Sequence, residues 1–89
     1  MTLYHVTPDE NVRSILKYGL VGRPIWLASR DTVEWALTHL SHLKGIDPLD
    51  FTCLEVLVSR AEVHAVGGKV PGRWITWRDI PAHKITVIG

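Results

Sequence analysis

Thr2-Leu3-Tyr4-His5-Val6-Thr7-Pro8-Asp9-Glu10 decides the reading of the chain, because a β-favouring run passes directly into a set of helix-start residues. Thr2 to Val6 predicts a strand ending at His5 or Val6. Thr7 is placed to cap a helix, Pro8 suits the first helical position, and Glu10 stands where a capping-box carboxylate reaches back. Val12, Ile15, Leu16 and Tyr18 then recur at helical spacing, with Gly19 as the left-handed stop of a helix of about three turns.

Further along, Leu20 to Arg23 reads as a turn and Pro24 to Ala28 as a short, mostly buried strand, with Ser29 as the cap of a second helix. From Arg30 to Lys44, Val33, Ala36, Leu37, Leu40 and Leu43 form one apolar stripe, and Gly45 ends it. Asp47-Pro48-Leu49-Asp50 is a connection, and Phe51 to Ser59 is predicted to be the central strand. Gly67-Gly68 and Pro71-Gly72 divide the remainder into Ala61 to Val66, Arg73 to Trp77 and Lys84 to Ile88, expected as short antiparallel strands. This order predicts an α+β fold, two helices packed on a small mixed or antiparallel sheet, with all 89 residues in one domain.

Composition narrows the class. Hydrophobic residues make up 46% and charged residues 21%, a globular balance. Ten basic against nine acidic side chains leave a net charge of +1, so the chain lacks the broad positive field of an unspecific nucleic-acid binder. Cys53 is the sole cysteine, which rules out an internal disulfide and a zinc-binding cysteine pair. With no leader-like segment and no apolar run near the roughly 20 residues that span a bilayer, a soluble, cytoplasmic protein is expected.

Several side chains are candidates for chemistry. His5, at the end of the first strand, can meet a ligand at a sheet edge or bond a backbone carbonyl as a structural histidine. Glu55 lies between Cys53, Leu54, Val56, Leu57 and Val58 in what reads as a strand buried on both faces, where a charge needs a partner: a ligand, or an Arg or Lys at a sheet edge. Trp26 either packs in the core or offers a flat face to a heteroaromatic ring, while Trp35, Trp74 and Trp77 read as packing residues. Arg23 and Arg30 flank the Trp26 strand and could hold phosphate, or could be solvated surface arginines. Asn11 could face the same site as His5 or lie on the surface; His39 and His42 have metal-sharing spacing without a matching third ligand. Cys53 reads as inert packing.

Four segments carry a resemblance to a known family: Leu3-Tyr4-His5-Val6-Thr7, Asn11-Val12-Arg13-Ser14-Ile15-Leu16-Lys17-Tyr18-Gly19-Leu20, Ile25-Trp26-Leu27-Ala28 and Leu54-Glu55-Val56-Leu57-Val58. Together they resemble the ADP-ribosyltransferase-like group, nearest to the DarT-type DNA-modifying toxins and more distantly the RNA 2′-phosphotransferases. The resemblance implies that His5 contacts a ribose of NAD, Trp26 stacks on nicotinamide, Glu55 holds the nicotinamide ribose as the catalytic residue, and Asn11 and Arg30 assist at the cofactor, Arg30 at the pyrophosphate. Trp26 stands where the family usually has tyrosine, and the chain is short for the family.

The function so implied is NAD-dependent ADP-ribosyl transfer to a macromolecular acceptor, DNA, RNA or protein, with nicotinamide released and a carboxylate stabilising the oxocarbenium-like centre. The alternative is a non-catalytic module that keeps the fold to bind a nucleotide or a protein.

Overall fold

The chain runs β1 (Thr2–Pro8), α1 (Val12–Tyr18), β2 (Ile25–Ala28), α2 (Val33–Lys44), β3 (Phe51–Leu57), β4 (Val63–Ala65), β5 (Arg73–Thr76) and β6 (Ile85–Val87) in a computed structural model that describes residues 1–22 and 24–89. The strands form one six-stranded sheet of order β4-β5-β2-β1-β3-β6 in which every paired neighbour is antiparallel. The expected α+β architecture of two helices on a small sheet is present. β3 is an interior strand but not the central one; β2 and β1 share the middle.

Register sorts the side chains onto two faces, because residues directly opposite across a ladder point the same way. Leu3, Val56 and Ile85 align on one face, and Tyr4, Glu55 and Thr86 on the other. The first face is closed. Leu3, Leu54, Val56 and Ile85 join Ile15 of α1, Leu20 and Ile80 in one core, with Leu54 and Val56 at 0% exposure. Burial on that scale stabilises by about 1.5–3 kcal/mol per large aliphatic side chain.

Gly19 makes the approach of α1 possible. Its φ is +87°, and a Cβ there would stand 2.2 Å from the Ile80 carbonyl oxygen, so no other residue fits. The helix stop read at Gly19 is correct, and the neighbouring Leu20 exchanges backbone hydrogen bonds with Ile80 at 2.9 Å in each direction. Gly45, the other predicted stop, is left-handed at φ 65°, ψ 31°.

The start of α1 differs from expectation. Thr7 and Pro8 remain in β1, opposite Thr52 and Phe51, and Thr7 is buried. A 3₁₀ turn, Asp9–Asn11, intervenes, and neither Pro8 nor Asn11 caps through its side chain. The β3 ladder holds Thr7 extended, so the local capping preference loses to long-range pairing. The Thr7 hydroxyl instead accepts from Asn11 Nδ2 at 3.3 Å. Helix α1 proper is therefore only seven residues long. Ser29 does precede the 3₁₀ turn Arg30–Thr32 that leads into α2, but its hydroxyl bonds the Asp31 carboxylate at 2.7 Å rather than capping an amide.

The second face is only partly covered. Helix α2 lies over Tyr4, yet none of its residues is fully buried, and Leu43 on its expected apolar stripe is 66% exposed. On β3 the pattern alternates: Leu54 and Val56 are buried, Cys53 and Glu55 are half-buried, and Leu57 is exposed. The sequence reading of a strand buried on both faces is thus corrected. Its apolar outer residues meet no second full layer, and Glu55 keeps access to water.

Candidate functional site

β1 is paired with its two neighbours very unequally. Against β3 it forms an unbroken ladder from Thr2↔Leu57 to Pro8↔Phe51, whereas against β2 Tyr4↔Ala28 is the sole matched pair. Beyond that pair no further ladder pair joins them among the described residues. A cleft of about 510 Å³ opens along the gap, walled by β1, β2, α2 and the Leu20–Val21 segment. This volume falls within the range of small-molecule sites.

His5 stands where the strands part. Its Nδ1 donates to the Trp26 carbonyl at 2.8 Å; a carbonyl can only accept, so Nδ1 carries the proton and Nε2 is left as the acceptor. Burial lowers the imidazole pKa below its ordinary 6.5, outweighing the opposite effect of the Trp26 hydrogen bond. The ring is therefore neutral at pH 7. His5 thus bonds a backbone carbonyl, as a structural histidine does, and also lines the cleft.

Trp26 is not a core residue. It is 52% exposed and lines the cleft, while its strand neighbours Ile25 and Leu27 are buried. Asn11 lines the cleft too, steadied by Thr7. Three of the five proposed site residues, His5, Asn11 and Trp26, thus come together.

Glu55 and Arg30 do not join them. Glu55 sits one strand away, opposite Tyr4 on β1 and Thr86 on β6, and does not line the cleft. Burial, with the Glu55 charge adding to it, raises the pKa of Cys53 above its ordinary value, which keeps that thiol protonated and unreactive near neutrality. Arg30 is exposed and lines a smaller hollow of about 350 Å³ with Asp31, Glu34 and Cys53. Arg23, the other proposed phosphate ligand, lies outside the described residues. Among the described residues no carboxylate lines the larger cleft.

Its second wall was not foreseen. Trp35 and His39 of α2 stack with ring centroids 4.8 Å apart and planes inclined by 11°, and the Arg73 guanidinium lies 5.4 Å from the Trp35 centroid. All three line the cleft. Trp35 therefore lines the cleft as well as packing on His39. The four-residue spacing of Trp35 and His39 on a helix was a usable signal for this pair; Arg73, on a strand behind a glycine-rich loop, offered none. Trp74 does pack against the core, and Trp77 is exposed.

No family model, curated protein or solved structure matches the chain. No helix among the described residues is long and apolar enough to cross a membrane.

Proposed function

We propose that the cleft binds a nucleotide of the NAD class and that the chain is a nucleotide-binding module with an ADP-ribosyltransferase-like fold. The observation that carries this reading is the meeting of His5, Asn11 and Trp26 in one cleft, with a second aromatic, Trp35, on the same lining. Trp26 offers an exposed ring to a base, and the neutral His5 offers Nε2 to a ribose hydroxyl. Binding is favoured over turnover because cleavage of a nicotinamide–ribose bond calls for a carboxylate at the developing cation.

A second reading keeps the transfer reaction. Glu55 is directly opposite Tyr4, and Tyr4 lines the cleft, so the carboxylate is one strand from the site. In that reaction the C–N bond to nicotinamide breaks with its electron pair leaving on nicotinamide, and the acceptor's nucleophile bonds the ribose carbon and gives up its proton.

Incubation of the purified chain with NAD distinguishes the two. The binding module retains intact NAD, with affinity weakened about tenfold or more by Trp26→Ala. Nicotinamide release that Glu55→Gln abolishes establishes the transferase, and no NAD binding overturns both readings.

A further inference from the structure

Arg73 begins β5 immediately after the glycine-rich loop at residues 67–72, and that loop holds its side chain. Nε donates to the Val70 carbonyl at 3.3 Å and Nη2 to the Gly67 carbonyl at 3.4 Å. The loop is fastened in turn to the entrance of α2. The Ser29 amide donates to the Gly72 carbonyl at 2.8 Å, and the buried Thr32 hydroxyl donates to the Pro71 carbonyl at 2.9 Å. Gly72 has φ +79°, and a Cβ there would lie 2.1 Å from Ser29 Oγ and 2.3 Å from Thr32 Oγ1. The course of the loop is therefore set by the contacts of its backbone with Ser29 and Thr32, and the guanidinium is delivered to the cleft beside Trp35.

Among the described residues, two of the five guanidinium N–H groups find acceptors, both neutral carbonyls. Among the described residues, Lys44 is the other formally charged residue on the lining and is also cationic. Arg30, by contrast, shares its hollow with Asp31 and Glu34, whose charges oppose an anion. Resting on the nucleotide-binding reading above, the geometry points to Arg73 as the residue that makes this cleft select phosphate-bearing nucleotides over free nucleosides, its fork taking the diphosphate beside the ring platforms of Trp26 and Trp35.

The test compares ADP-ribose with adenosine, titrated into the full chain at low salt and followed by tryptophan fluorescence. The wild type is expected to prefer ADP-ribose by about tenfold or more. Arg73→Gln removes that preference and leaves adenosine affinity within about twofold, while Arg30→Gln leaves the preference intact. An unchanged preference in Arg73→Gln, or its loss in Arg30→Gln, overturns the assignment. Should Arg73→Gln fail to fold by circular dichroism, Arg73→Lys carries the test: it keeps a charge near Trp35 but loses the fork, so preference drops severalfold, and no drop overturns the proposal. A wild type that binds neither probe is a separate result; it refutes the nucleotide reading and the role of Arg73 with it.

Discussion

The two sides of β1 show how one strand can be both scaffold and site. Toward β3 it is matched at all seven residues, from Thr2 to Pro8, and the side chains at Leu3, Leu54 and Val56 are sealed from water. Toward β2 it is matched once, at Tyr4↔Ala28, and the ladder gives way to an imidazole–carbonyl bond and an open cleft. Rigid pairing on one side permits divergence on the other: the backbone of the cleft wall is already fixed by β3, so it does not depend on β2 for its shape.

That contrast can be broken most forcefully on its closed side. Leu54→Ala leaves a cavity in the core and should lower unfolding free energy by about 2–5 kcal/mol, measured by urea denaturation. A loss below about 1 kcal/mol would mean that the β1–β3 side collapses around the gap and is less rigid than described.

Acid probes the boundary between the sides. His5 has a lowered pKa in the folded chain, so as pH falls below about 6.5 the unfolded chain takes up the proton first and stability declines, levelling only below the folded pKa. The denaturation midpoint should therefore be higher at pH 7.5 than at pH values beneath the ordinary histidine range. His5→Gln should reduce this dependence; an unaltered slope would show that His5 does not govern it.

The smallest effect on stability is expected on the open side. Trp26→Ala removes a ring that is already half in water and should change unfolding free energy by within about 0.5 kcal/mol. A much larger loss would show that Trp26 holds the sheet together and is not spare for a ligand.

The same contrast explains what was legible in the sequence. The glycine stops at Gly19 and Gly45 could be read because each reflects a local backbone requirement that the surrounding helix pattern makes evident. The Thr7 cap was misread because its competitor, the pairing of Thr7 with Thr52, is non-local and leaves no mark in the neighbouring residues. Glu55 was expected in a doubly buried strand because β-branched and aliphatic residues fill both phases of β3; the incomplete cover of its outer face depends on where α2 lies. For the cleft, His5 and Trp26 were found through their strand positions, whereas Arg73 depends on a loop whose course is decided by Ser29 and Thr32, far away in sequence.

The ladder between β1 and β3 also bears on the order in which the molecule assembles. Thr2 finds its partner at Leu57, so the ladder of the strand that defines the cleft cannot be completed before Leu57 is present. The nearer partner, β2, offers only one matched pair and too little to hold β1 in the meantime. Closing this loop puts the entropic cost before the compensating contacts, a non-local pairing of the kind that slows folding. On the ribosome β1 lacks its β3 partner until Phe51 to Leu57 has been made, and the polar Thr2, His5 and Thr7 interrupting its apolar residues limit its tendency to join another chain before then.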